Sequence, residues 1–361
     1  MNTYGVALRI TVFGSSHGPG VGCVLDGCPA GVEVSLEQVQ REVDRRRPSA
    51  GIGTLRAEED RVQLQSGVHE GRTSGSPIQM FIENKDRDSS KYAAFRRTPR
   101  PGHADYPALV KYGEGHDLRG GGQFSGRMTA PLVAGGAVAK SLLAAKGVRF
   151  AAYARSIGKV VDGEDRSLRD VLEQAYDHET RAATPQLDAM MREEILSAKE
   201  EEDSVGGVVR CLAEGVPVGV GEPFFDTLDG ELAKMLFSIP AVKGVEFGSG
   251  FRAAQLRGSE NNDRYRFEGG QVRTATNNAG GVLGGMSNGM PLDIRVAFKP
   301  TASIPRAQPT VDLGTGKEAI LKIEGRHDPC IVPRAVVVVE AVAALTVADL
   351  MIRGGYIVRQ R

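Results

Sequence analysis

The sequence predicts an α+β fold, an internally duplicated layered sandwich with buried helices between two largely antiparallel sheets. Two stretches, 131–145 and 335–348, are apolar on nearly every helical face, so each helix needs cover on all sides. Three pairs of segments also recur in the same order in both halves. Residues 23–32 line up without gaps on 211–220, both fitting C-x-x-[DE]-G-x-P-x-G-V, and 73–80 line up on 287–294. Gly126-Arg127 and Gly325-Arg326 each precede one of the apolar helices. These pairs imply two related half-units, about 5–147 and 205–355, within a single domain over 1–361. A site on the pseudo-axis would gather Arg127 and Arg326 from the two halves.

Taken in order, residues 5–13 and 21–26 read as short strands around a turn that carries His17. Ser35 and Gln38 resemble a capping box, and Leu36, Val39 and Val43 follow at helical spacing. Pro48 stops that helix after Arg45-Arg46-Arg47. Residues 49–60 read as irregular and 77–83 as a strand. Residues 84–122 show little periodicity, and a loop this long in a compact protein is functional or disordered. Pro131 opens the first apolar helix and Gly147 ends it. Residues 167–203 give two polar, amphipathic helices, the second opened by Thr184-Pro185, and a peripheral insertion over about 165–203 is expected. Strands follow at 206–220, a helix near 228–237, further turns and strands to 298, and a last helix from Pro333.

Composition excludes several classes. Forty-five basic and 45 acidic residues cancel, which gives no general attraction to nucleic acid or an anionic membrane. Cys23, Cys28, Cys211 and Cys330 form no C-x-x-C pair and no zinc spacing, and read as small buried residues in a reducing compartment. The N-terminus lacks a signal pattern. The apolar runs contain Lys140 and Glu340 and read as too short to span a bilayer. A soluble, cytoplasmic protein is expected.

The chemistry concentrates in glycine-rich or basic segments. They are the His17 turn, Arg45–Arg47 with Arg56, residues 101–105 around His103, 120–127, and 299–303 with 325–328. Arginine recognises phosphate and carboxylate by planar two-point hydrogen bonding, and glycine- and serine-rich turns offer backbone N–H groups. Together they suit a small, multiply anionic ligand. The plainer readings are a solvated helix end for Arg45–Arg47 and surface positions for His69, His116 and His178. The 120–126 run lacks the G-K-[ST] of a Walker loop, and no G-x-G-x-x-G sits in a clear βαβ setting.

Over essentially its full length the chain resembles the chorismate synthase family. The resemblance rests on GSSHGPGVGCVLDGCP (14–29), DRRRP (44–48), RPGHADY (100–106), GGGQFSGRMTAP (120–131), AVKGVEFG (241–248), NNAGGVLGGMSNG (277–289), KPTAS (299–303) and GRHDPC (325–330). It implies a lyase that converts 5-enolpyruvylshikimate 3-phosphate to chorismate and phosphate by 1,4-anti elimination, requiring reduced FMN without net oxidation. It also implies a homotetramer with helices sandwiched between antiparallel sheets. By the same resemblance His17 protonates the departing phosphate, His103 stabilises or protonates the flavin near N1, and Asp328 assists flavin N5 in taking the ring proton. Ser16 and Ser125 support them. Arg46, Arg56, Arg127 and Arg326 hold the substrate. Gln123, Phe124, Ser125, Gly126, Gly284, Lys299, Pro300, Thr301, Ala302, Ser303 and Arg326 contact FMN, and the 84–122 loop covers the site. No stretch is left over for a flavin reductase, so an external flavin-reducing system is expected.

The sequence departs from the commoner family pattern at Ser15, Gly53, Gln123, Met128 and Pro240, which puts local contacts at 53, 123 and 240 in doubt. Two rivals remain. A flavoprotein doing ordinary redox would consume NADPH as product forms. A nucleic-acid surface on the basic 85–100 loop would bind with steep salt dependence.

Overall fold

In the computed structural model, residues 2–49, 51–53, 59–85, 89, 92–323 and 327–358 are described. Strands β1 (Thr3–Tyr4), β2 (Arg9–Gly14) and β3 (Gly20–Asp26) are followed by helix α1 (Leu36–Arg45), then β4 (Val62–Ser66) and β5 (Ile78–Glu83). The strands form one sheet of order β1-β2-β3-β5-β4, antiparallel throughout. Ile78, Met80 and Ile82 alternate inward along β5, the period-2 pattern of a sheet with one buried face. The strand expected over 5–13 begins only at Arg9. The buried Asp349 carboxylate accepts hydrogen bonds from the backbone N–H groups of Val6, Ala7 and Leu8 (3.1, 2.6 and 2.8 Å), so these amides serve a carboxylate instead of a ladder. Ser35 caps α1 as expected, its Oγ accepting from the Gln38 N–H at 3.1 Å. The described residues of 84–122 include helix α2 (Asp105–Tyr112), which the sequence reading does not contain.

Helix α3 (Thr129–Ala144) leads into β6 (Arg149–Ile157), a strand absent from the sequence reading, and β7 (Val160–Val161). Helices α4 (Leu168–Gln174) and α5 (Pro185–Glu200) precede β8 (Gly207–Glu214). Helix α6 (Leu228–Leu236), β9 (Val242–Phe247), β10 (Leu292–Phe298) and helix α7 (Val332–Arg353) complete the second half. Its sheet has the order β7-β6-β8-β10-β9, again antiparallel throughout.

From the central strand outward on one side the two sheets share the order third-fifth-fourth, with Cys23 and Cys211 on those central strands, while the other two strands are swapped (β1-β2 against β7-β6). The aligned residues also bond alike. Thr73 Oγ1 accepts from the Val32 N–H and donates to the Pro29 carbonyl. Ser287 Oγ does the same with Val220 and Pro217. A hydroxyl residue at 73 and 287 therefore pins the P-x-G-V turn to the strand beside it in each half.

Helix α3 packs on the first sheet, α7 on the second, and the two helices on each other. The layers run sheet, helix, helix, sheet. Helix α7 is long and apolar enough to cross a bilayer, more so than its sequence run suggested, but 94% of its apolar window is buried inside the fold. Helix α4 covers the outer face of the second sheet, burying Leu168 and Val171 with Ala151, Tyr153 and Leu212.

Two charges interrupt this apolar interior. Lys140 of α3 donates to Glu42 of α1 and Glu340 of α7, both at 2.7 Å. Burial pushes the Lys140 pKa down, but the two carboxylates outweigh it and keep the ammonium charged. Glu340 also accepts from the Ala152 N–H at 2.8 Å and the Tyr176 hydroxyl at 3.2 Å. Glu340→Ala would take this acceptor from the Ala152 N–H and the Tyr176 hydroxyl and leave Lys140 with Glu42 alone. It should cost about 3–5 kcal/mol, the range for breaking a buried ion pair, read as a fall in the urea midpoint.

Candidate active site

The two central helices bring their N-terminal ends to one cavity of about 560 Å³. Thr129 at the start of α3 lies on its wall, as do Ile331, Arg334 and Ala335 at the start of α7. Helix N-termini carry unpaired N–H groups and the positive end of the helix dipole, so both favour an anion here. Among the described residues seven cationic side chains line the wall (Arg46, Arg47, Arg100, Arg127, Lys243, Lys299 and Arg334) against the carboxylates of Asp60 and Asp328. The neutral chain thus concentrates its positive charge in one place.

Each cation is held by a specific device. Asp60, missed by the sequence reading, takes Arg127 through one oxygen and lies 3.7 Å from Arg46 through the other. Arg127 also donates to Asn84 Oδ1 at 3.0 Å, and Arg46 to the Thr129 hydroxyl at 3.0 Å. One buried carboxylate sets two guanidiniums and leaves a net positive charge. Asp328 pairs with Arg334, whose Nε donates to the Arg46 carbonyl at 3.0 Å and ties α7 to the end of α1. Between Val242 and Gly244 the β9–β10 register slips by one residue. Lys243 is the extra one, and a bulge of this kind re-aims a side chain. Lys299 donates to the Gly102 carbonyl at 2.9 Å. Burial, then the nearby Lys243 charge, lowers its pKa, an arrangement that a bound anion would relieve.

His103 sits in the tightest part of this network. Its Nδ1 is 2.7 Å from Asp105 Oδ1, and Arg100 grips the same carboxylate through Nε and Nη2 at 2.7 and 2.8 Å. Burial opposes ionisation of Asp105, yet the Arg100 and His103 hydrogen bonds outweigh it and hold its pKa well below the usual carboxylate range. Because folding lowers this pKa, the stabilisation is present at neutral pH and is lost only as pH falls through the folded value.

Not every expected residue lines the cavity. Arg46, His103, Gln123, Phe124, Ser125, Gly126, Arg127, Lys299, Pro300, Thr301, Ala302, Ser303 and Asp328 do. Ser16 and His17 are buried one layer back, behind Gly120. A Cβ on Gly120 would fall 2.2 Å from His17 Cδ2 and 2.6 Å from Ser16 Oγ, and the residue has φ +62°, so only glycine fits there. His17 Nδ1 is 2.8 Å from Ser89 Oγ, and its ring meets Tyr92 edge-on at 5.1 Å. Gly284 is elsewhere, in the tight 282–287 hairpin whose Gly285 packs on Thr227 before α6, and so does not line this cavity. Arg56 and Arg326 lie outside the described residues. Of the doubtful positions, Gln123 and Pro240 are on the wall. Burial pushes the thiol of Cys330, close to Asp328, up to about 12, which keeps it an inert packing residue.

A flavin-sized ligand can be tested against these walls. Thr301 Oγ1 is buried on the cavity wall without a hydrogen-bond partner among the described residues. Buried orphan hydroxyls are uncommon, and a polar ligand atom would satisfy this one. Gly120, Gly121 and Gly122 all have positive φ, allowing backbone to approach a ligand closely. The volume lies within the range of small-molecule sites, about 300–1,000 Å³, and the donor set suits phosphate and carboxylate.

Comparisons with known proteins agree with these features. A family model described as chorismate synthase matches residues 8–352. Relatives named chorismate synthase include one from Dehalococcoides mccartyi, 49% identical over 99% of this chain and 98% of the relative. One from Korarchaeum cryptofilum is 50% identical over 97% of each chain, and one from Methanocella arvoryzae 51% identical over 99% and 95%. A solved structure titled "Crystal Structure of Chorismate Synthase" superposes with a TM-score of 0.77 at 32% identity, covering 97% of this chain and 93% of that one.

Proposed function

The chain belongs to the chorismate synthase family, enzymes of the shikimate pathway, and from that premise we propose that it eliminates phosphate from 5-enolpyruvylshikimate 3-phosphate to give chorismate, with reduced FMN and no net redox change. The observation that carries this reading is the meeting of His103, Asp328 and a surplus of cations in one cavity at two helix N-termini. Arg46 and Arg127, with Arg56 and Arg326, bind the substrate's phosphate and carboxylates. Phe124, Ser125 and Gly126, the 299–303 turn and Arg326 hold FMN, with the Thr301 hydroxyl as a partner for it. Bound reduced FMN supplies the transient electron density that makes loss of phosphate feasible.

His17 delivers the proton to the departing phosphate from behind Gly120, with Ser16 beside it. His103 presents Nε2 to the cavity. Asp328, fixed by Arg334, takes part in removing the ring proton. Ser125 accepts from the Arg127 N–H at 3.3 Å and so orders the start of the 126–128 turn. The segment around Tyr92 and Gly120 closes the wall against water. Reduced flavin comes from outside the chain, at the expense of NADPH or another donor, in the cytoplasm. A homotetramer would cover exposed aromatics such as Phe224, Phe225 and Phe267, which are 91%, 94% and 83% accessible.

The test is an anaerobic assay with photoreduced FMN and the enolpyruvyl substrate. Phosphate and chorismate should appear in equal amounts with no steady flavin oxidation. Flavin oxidation in step with product would overturn the reading in favour of ordinary redox. Arg127→Ala leaves Asp60 near Arg46 but removes a charged donor worth about 1.5–3 kcal/mol. Substrate KM should rise roughly tenfold or more, while flavin affinity measured by fluorescence changes less.

A further inference from the structure

What His103 Nε2 offers a ligand depends on where the ring proton sits, and the partner of Nδ1 sets that. Asp105 is ionised and accepts only, so the 2.7 Å contact to its Oδ1 requires the proton on His103 Nδ1. Arg100 Nη2 also lies 3.0 Å from that nitrogen, but a guanidinium only donates. Nδ1 cannot serve both, and the shorter contact to the anion settles which bond forms. Nε2 then faces the glycine run, since a Cβ on Gly121 would sit 3.5 Å from it.

Three further contacts make this carboxylate rigid. The Arg100 backbone N–H donates to Asp105 Oδ2 at 3.1 Å. Arg100 Nη1 donates to Ser303 Oγ at 3.2 Å, linking the carboxylate to the 299–303 turn. The guanidinium carbon stacks 4.5 Å from the Phe95 ring centre. Both charged side chains are almost fully buried, 4% and 1% accessible.

We propose that Asp105 is a positioning residue, held by Arg100, that locks His103 in the Nδ1–H tautomer and so reserves Nε2 for the ligand cavity. The inference rests on the functional reading above for its consequence in turnover. The tautomer itself is independent of that reading. A carboxylate that orients an imidazole in this way works by excluding the wrong tautomer, and amide replacement of such a residue has large effects on turnover elsewhere.

The test is the 15N spectrum of histidine-labelled protein without flavin, with the His103 signals assigned by their loss in His103→Gln. Wild-type protein at alkaline pH should show a protonated Nδ1 and an unprotonated Nε2. An Nε2–H form in the wild type overturns the proposal even if no variant folds. Asp105→Asn should shift His103 towards Nε2–H and lower kcat roughly a hundredfold, with KM and FMN affinity little changed. Arg100→Lys loosens the two-point grip but leaves Asp105 beside the ring, so Nδ1–H should persist. Retention of Nδ1–H in Asp105→Asn together with its loss in Arg100→Lys would assign the role to Arg100 and overturn the inference. A tautomer change with unaltered turnover would uphold the positioning and instead remove His103 from the proposed chemistry.

Discussion

Replacing His17 with alanine should lower turnover roughly a hundredfold or more, the range for a lost general acid, without unfolding the protein. Phosphate leaves more readily when protonated, and of the imidazoles beside the 120–122 glycine run His17 packs closest to it. The ring is only 7% accessible and is clamped by Ser89 and Tyr92, so it has little freedom to wander. Its position behind Gly120 makes a second variant informative. Gly120→Ala keeps the imidazole but places a methyl group 2.2 Å from its Cδ2 at a backbone φ of +62°. The ring or the wall must shift, and turnover should fall although every ionisable group is present. Wild-type kcat in both variants, with unchanged pH–rate profiles, would take His17 out of the mechanism.

Much of the fold could be read because the chain contradicts ordinary amphipathicity in two places. Helices apolar all round have only one home, between layers, and α3 and α7 lie there. The repeated C-x-x-[DE]-G-x-P-x-G-V segments were legible for a related reason. Each needs its proline carbonyl and valine N–H satisfied by one hydroxyl, Thr73 or Ser287, so the chemistry survives even where side chains differ. Strand β6 was missed because it has no alternation to detect. Phe150, Ala152 and Ala154 enter the main core while Ala151 and Tyr153 face α4. A strand buried on both faces reads as a plain apolar run.

The cavity was legible in its cations and glycines and much less so in its carboxylates. Asp60 follows an irregular stretch with no pattern of its own, and it matters because Arg46 and Arg127 arrive from distant segments. Asp105 stood in view beside His103, but sequence spacing alone does not say which ring nitrogen it meets. Arg334 is one of several charges near a helix start until the fold sets it against Asp328. His17 marks the opposite failure. Its motif is clear, yet nothing in residue spacing shows that Gly120 and Tyr92 stand between it and the cavity.

The seam between α3 and α7 carries the other large effect. Gly136 allows these helices to touch: a Cβ there would lie 2.3 Å from the Ala341 Cβ and 2.5 Å from the Ala341 Cα. Alanine at an ordinary helix-interior glycine is favourable by about 1 kcal/mol. Here the clash has the opposite sign, and overpacking typically costs about 1–3 kcal/mol, so Gly136→Ala should be destabilised overall. Gly136→Leu should fail to accumulate as folded protein, because no rotamer relieves a collision that starts at Cβ. Ala341→Gly should rescue Gly136→Ala only in part, since it removes the methyl contact and leaves the Cα. The same seam sets the distance between Thr129 and Arg334, which stand on opposite helices at the cavity. Gly136→Ala should therefore lose turnover at temperatures well below its unfolding midpoint. A variant with wild-type urea midpoint and wild-type kcat would show that the two layers can slide without cost, and that the convergence of the helix N-termini is not what builds the site.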